Sequence, residues 1–367
     1  MPLTWARALA WRLEQQLLAP VGDLPVEGVV ARLGALPARS SEAAELAVRL
    51  RRVSSAPGEV TDALNDGRLL KTYAFRGATH LMTPEDAGTY LALRAASRMW
   101  ELPSWQEYYG LAPSDWPDLC AVVREALADG PLTRRQLADT VAAVPRFQQL
   151  RTPVVEGNDT LLKPLAWQGV MSFGPTRQGR STFARLEDNP RWAGIPDVDD
   201  AGPRAVRAYL HAYGPASVDR LGYWLADGLG AGRRRVRSWV AALGDELTEV
   251  DVDGEDVFVL SEDLDALRAT DANAVVRLLP GHDQWVLGPG TADPHVVPPA
   301  RRALVTGGAN LVVVGGVVSG TWRLIGDDIT LSWFGEAGPV PWGALEEDVV
   351  RLGAVLGRRL RPEVVEQ

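Results

Sequence analysis

Four arginines crowd into five positions, Arg233, Arg234, Arg235 and Arg237, at the start of GRRRVRSWVAALGDEL. On a helix, residues three and four apart share a face, and a row of guanidinium forks there pairs with phosphate oxygens or guanine edges. The same run also reads as a solvated helix face offset by Asp245, Glu246 and Glu249. His282, Asp283 and Gln284 stand between an apolar run and the Gly288-Pro289-Gly290 turn. Three hydrogen-bonding side chains are expected to project there from a loop, as one edge of a site, unless Asp283 only caps the turn and His282 only meets solvent. Arg76, Thr79 and His80 form a comparable polar group, equally readable as strand and loop packing.

Other chemistries find no foothold. Only two of the 38 basic residues are lysines, Lys71 and Lys163, and each follows a leucine, so the Gly-Lys-Ser/Thr of a phosphate-binding P-loop is missing. There is no Gly-x-Ser-x-Gly elbow, and Cys120 falls in the apolar stripe of a helix, where a packing role is expected. The run Gly228 to Gly232 superficially matches a dinucleotide loop but joins two helices instead of following a strand. One cysteine and four histidines leave no dedicated zinc set and no internal disulfide, which points to a reduced, cytoplasmic, metal-free and cofactor-free protein. The net charge of -9 argues against a nonspecific coat on nucleic acid, yet a local arginine groove is compatible with it.

The elements that must position these groups follow a repeated order of helices and a strand pair. From Pro203, RAVRAYLHAYG is helical by its apolar spacing, Ser217 caps a second helix, and the arginine segment forms a third. The run LTEVDVDGEDVFVL then alternates around Asp253-Gly254, a hairpin signal. Three helices and a two-stranded wing give a winged helix-turn-helix, whose third helix is the one that enters a major groove. The segment from Pro203 to Leu260 is expected to fold by itself. A second copy begins near Leu119, with Thr133 capping a helix that opens on Arg134 and Arg135, and a hairpin tipped by Gly179. A less regular copy occupies residues 1 to 90. Beyond Ala272, short apolar runs punctuated by Gly and Pro suggest a small antiparallel sheet or barrel, closed by a helix in ALEEDVVRLGAVLGRRL. The first twenty residues read as an amphipathic helix interrupted by Arg7 and Arg12, and no membrane span or secretion signal is expected.

Taken together, FRGATHLMTPEDA, LLKPLAWQGVMSFGP, HAYGPASVDRLGYWL and LLPGHDQWVLG resemble, in the same order, the winged-helix DNA glycosylases of the AlkZ and YcaQ type. The resemblance covers nearly the whole chain. It implies tandem winged helices with a C-terminal β-barrel around a DNA-binding cleft. It also implies removal of bulky N7-alkylated purines or DNA cross-links, often as self-protection in producers of genotoxic antibiotics. Members carry Gln, an apolar residue, then Gln or Asp ahead of a helix that SSEAAELAVRL resembles. This sequence has Pro37, Ala38 and Arg39 there, so both polar catalytic positions differ. Proline offers no side-chain hydrogen bond, and a guanidinium cannot take a proton and would repel the positive charge that grows on the sugar. Arg39 suits a phosphate better, which leaves Glu42, or Gln15 or Gln16 on the first helix, to hold water.

The expectation is therefore an α+β chain of tandem winged helix-turn-helix modules with a C-terminal β-barrel-like region. The modules divide as residues 1–118, 119–200 and 201–262, followed by 263–367. The expected site comprises Arg39, Glu42 and Gln16 for catalysis, with Arg76, Thr79, His80, Arg233, Arg234, Arg235, Arg237, His282, Asp283 and Gln284 on DNA. The expected activity is hydrolysis of the N-glycosidic bond of alkylated purine nucleotides in double-stranded DNA by a monomer, and the alternative is a noncatalytic winged-helix DNA-binding or regulatory protein.

Overall fold

The structure is a computed structural model and describes residues 2–156 and 159–366. The chain is a mixed α+β fold that divides into two units. The first gathers Met1–Val60, Val206–Trp224 and Val240–Gln367, and the second Thr61–Ala205 and Leu225–Trp239.

In the first unit, the helix Trp5–Gln15 starts where Thr4 Oγ1 accepts the N–H of Arg7. Its apolar residues serve two clusters. Ala8 and Trp11 meet Val250, Val252, Val257 and Val259 of a hairpin, and Leu9 and Leu13 join the core of the C-terminal sheet. The hairpin pairs Leu247–Val252 with Glu255–Leu260 around Asp253 and Gly254, both at positive φ, as the Asp-Gly signal requires.

The C-terminal sheet has five strands in the order Arg361–Glu366, Asp328–Trp333, Val317–Ile325, Asn310–Val314, Val276–Leu279. The pairings are antiparallel except the last strand of the chain, which runs parallel to Asp328–Trp333. Val276–Leu279 and Arg361–Glu366 are its two edges, so the expected barrel is corrected to an open sheet. One edge is partly satisfied from outside the sheet, because Asp348 Oδ2, on the helix Trp342–Leu356, accepts the N–H of Leu278 at 2.7 Å. An edge blunted in this way has less need of ring closure. At Gly315-Gly316 a two-residue turn presses on the first helix, where a Cβ on Gly316 would lie 2.7 Å from Leu9 Cβ. Both glycines sit at positive φ, and Trp285 Nε1 donates to Gly316 O at 2.9 Å.

Within the second unit, strands follow the order Thr79–Met82, Leu70–Tyr73, Met171–Arg177, Arg180–Arg185, Leu132–Thr133. The Met171–Arg185 hairpin turns at Gln178 and Gly179, both at positive φ. The helix Arg134–Ala142 begins with a reciprocal cap, Gln136 Oε1 accepting the Thr133 N–H and Thr133 Oγ1 the Gln136 N–H.

The helix expected to start at Pro203 instead runs from Val198 to Tyr213, with Pro203 inside it. A proline early in a helix forfeits one backbone bond without preventing the turns before it.

Candidate functional site

Gln16 ends the first helix and is fully buried. Its Nε2 donates to Ala212 O at 3.2 Å, and its Oε1 has no donor among the described residues. Beside Ala212 at the end of the helix Val198–Tyr213, Tyr213 Oη donates to Leu33 O at 2.6 Å, tying that end to the turn ahead of Pro37. Residues 212 and 213 thus stand between Gln16 and the stretch in which the resemblance places its catalytic pair.

Asp283 also reaches Gln16, through an arginine. Arg51 donates to Asp283 by a two-pronged contact, Nη1 to Oδ2 at 2.9 Å and Nη2 to Oδ1 at 2.7 Å, and both side chains are 0% exposed. Two further Arg51 donors go to Gln16 O at 3.1 Å and Ala47 O at 2.9 Å. A buried ion pair loses several kcal/mol of hydration, which the paired contact and two further hydrogen bonds offset. Asp283 therefore fixes the carbonyl at the end of the helix that bears Gln16. It also accepts the N–H of Trp285 at 2.8 Å, capping the short helix Gln284–Leu287.

This corrects the expectation of three projecting side chains, because Asp283 and Gln284 are each 2% exposed. His282 is half-buried at φ 59°, with Nε2 3.3 Å from Thr306 O.

Arg39 and Glu42 are both exposed. Ser40 caps the helix Ser41–Arg49 by accepting the Ala43 N–H at 3.2 Å, which places Glu42 in the first turn, where the helix dipole favours a carboxylate. Pro37 is half-buried and Ala38 is buried. Gln16 is buried whereas Arg39 and Glu42 are exposed, and no hydrogen bond joins Gln16 to either among the described residues.

In the second unit, Arg76 is exposed at φ 51°, and its N–H donates to Gly228 O at 2.7 Å. Thr79 is half-buried. His80 is buried against Phe75, ring centroids 5.2 Å apart, with Nδ1 3.1 Å from Ala78 O. Burial pushes its pKa down to about 4, with a smaller push from Arg76 and an opposing pull from the Ala78 carbonyl. Its imidazole is thus neutral at physiological pH and is no phosphate-binding cation.

The helix Arg233–Leu243 exposes Arg233, Arg234, Arg235 and Arg237 and buries Val236, Trp239 and Val240. Trp239 fits beneath Gly202, where a Cβ would lie 2.1 Å from the ring. Arg233 pairs with Asp227 at 2.7 Å, and Arg235 reaches Ala231 O at 3.5 Å. Arg234 and Arg237 make no hydrogen bond or ion pair among the described residues.

Further groups escaped the sequence reading. Arg135, Arg177 and Arg180, with Gln136 and Gln178, line an open cleft of about 590 Å³ at the hairpin tip. The arginines flanking Gln178-Gly179 were its signal, since a hairpin tip brings its flanks together. Arg51 had no local signal, because its partner lies 232 residues away. Cys120 is buried as expected, its thiol pushed up to about 11 by burial. Among the described residues, no His, Cys, Asp and Glu cluster could hold a metal, and no helix is long and apolar enough to cross a membrane.

A family model described as DNA glycosylase AlkZ-like matches residues 30–355. An interstrand DNA cross-link repair glycosylase of Streptomyces sahachiroi is 35% identical over 363 residues, covering 97% of this chain and 98% of the relative. The solved structure of Streptomyces sahachiroi DNA glycosylase AlkZ matches with a TM-score of 0.94 at 35% identity, covering 100% of both chains.

Proposed function

This chain belongs to the AlkZ-like family of DNA glycosylases, hydrolases of N-glycosyl bonds, and from that premise we propose that it releases bulky alkylated purines from double-stranded DNA. The similarity along 97% of the chain carries this reading. Interstrand cross-links are included because the Streptomyces relative is named for their repair. Protection against a self-made genotoxic product, in the cytoplasm, is the setting that fits, with the protein acting as a monomer without cofactor.

Alkylation at N7 makes the base a cationic leaving group, so the protein has to hold a water and tolerate an oxocarbenium-like sugar. Glu42 is the proposed water-holding carboxylate, because it is exposed one helical turn beyond Arg39. Arg39 is assigned to a phosphate beside the lesion. Gln16 is buried, and its proposed role is to support the adjoining backbone. Arg234 and Arg237 are proposed as the leading backbone contacts, with Arg233, Arg235 and Arg76 beside them and the Arg135, Arg177 and Arg180 cleft as a further phosphate site. Residues 119–200 and 201–262 are proposed winged helices, 1–118 a third, and 263–367 a C-terminal region of open sheet and closing helix.

The deciding experiment is incubation of the full chain with duplex DNA containing an N7-alkylguanine, followed by detection of free base. Release supports the reading. Tight, lesion-selective binding with no release at any pH would instead identify a noncatalytic lesion-binding protein, the outcome that the exchange of both polar positions at Pro37 and Arg39 would explain.

A further inference from the structure

A cavity of about 80 Å³ lies wholly within the first unit, bordered by the first helix, the end of Val198–Tyr213, the Ser217 turn and the loop 289–295. Arg12 lines it. That side chain is 1% exposed, yet only one of its guanidinium nitrogens has an acceptor, Nη2 to Pro215 O at a long 3.4 Å. Nε and Nη1 have none among the described residues.

Arginine does not escape burial by losing its proton, so a buried guanidinium with unused donors calls for an acceptor. Asp293, 2% exposed on the same wall, forms no hydrogen bond or ion pair with Arg12 among the described residues. Its Oδ1 accepts the His295 N–H at 3.0 Å and lies 3.8 Å from Arg220 Nη2. Arg12 and Arg220 thus face one buried carboxylate, Asp293, and Glu255 is a second, more exposed carboxylate on the lining. The mouth is flanked by Trp5 stacked on His295, ring centroids 3.9 Å apart, and by Glu255, 2.9 Å from His295 Nε2.

We propose that this cavity is a binding site for a small, singly charged tetrahedral oxyanion of the phosphate class, held by Arg12 and Arg220. One water needs ~10–15 Å³ of such space, so a cavity of about 80 Å³ has room for an ion of a few heavy atoms. A monoanion offsets the excess of the two guanidiniums over the buried Asp293, and a protonated oxygen suits the side facing Asp293. The acidic rim disfavours an incoming DNA strand, so the free ion is the assigned source. The site does not depend on the glycosylase reading.

Calorimetric titration of the full chain with inorganic phosphate at constant ionic strength tests it. Saturable one-to-one binding is expected, weakened by about tenfold or more in Arg12→Met, the loss that 1.4 kcal/mol of interaction represents. Asp293→Asn keeps the oxygen that accepts from His295 and removes the competing charge, so it should bind phosphate more tightly. No saturable binding, or equal binding by wild type and Arg12→Met, would mean that water alone serves Arg12 and would overturn the site. Should Arg12→Met fail to fold, unchanged affinity in Asp293→Asn overturns it. Repeating the titration with duplex DNA already bound identifies the source. Undiminished phosphate binding supports the free ion, and competition supports the same site filled by a strand phosphate.

Discussion

His80 is held uncharged by its surroundings, and that has a pH signature. Its pKa falls from 6.5 to about 4 on folding, so the unfolded chain binds its proton more tightly. Stability is fully present above pH 6.5 and drains away as the pH falls toward 4, on the order of 3 kcal/mol in all. Urea unfolding across that window should show a slope shallower by up to one proton in His80→Gln, whatever its stability at neutral pH. Arg39 and Glu42 separate by chemistry. Glu42→Gln should lower the single-turnover rate of base release by about 10²-fold or more at unchanged affinity, and Arg39→Gln should keep or raise it. Release that survives Glu42→Gln would remove Glu42 as the base. Asp283→Ala leaves Arg51 charged and buried, a loss of about 3–5 kcal/mol that a shifted urea midpoint would register.

Among the elements, the arginine helix yields the most direct binding test. Arg233 and Arg235 have acceptors nearby, whereas Arg234 and Arg237 have none among the described residues. Replacing only Arg234 and Arg237 by alanine should weaken duplex binding and flatten the log K against log salt slope by about 1.8, or 0.9 for each phosphate contact. An unchanged slope would take this helix off the DNA. Helices and hairpins were legible in the sequence because their signals are local. Thr133 and Ser217 do cap helices, and Asp253-Gly254 and Gln178-Gly179 do turn hairpins. The chemical environment of the candidate site was less legible. Whether Asp283 projects or is buried depends on an arginine far away in sequence, and no window of residues contains both.

At the scale of the whole molecule, the sequence suggested a self-sufficient module from Pro203 to Leu260. The inner valines of its hairpin are covered by Ala8 and Trp11 of the first helix, and Asp253 Oδ2 accepts the Trp5 N–H at 2.8 Å. A fragment spanning 203–260 lacks that cover. We expect it to bind a hydrophobic dye and to melt without a cooperative transition, and a sharp transition would show that the helix is dispensable. Likewise, Gly- and Pro-punctuated runs revealed strands but not whether their sheet closes. That was decided by nonlocal partners such as Asp348, which occupies an N–H of an edge strand.

Trp5 and Asp253 are 248 residues apart in sequence, and this separation becomes a delay on the ribosome. At ~5–20 residues per second, the apolar side of the first helix leaves the exit tunnel roughly 12–50 s before its hairpin cover leaves it. Residues 61–205 emerge meanwhile, so most of the second unit has its own sequence to hand while the first still waits. Slow translation before codon 253 therefore prolongs the time in which a nascent-chain chaperone can hold Ala8, Leu9 and Trp11, and the yield of folded protein becomes sensitive to codon choice far from the helix it protects.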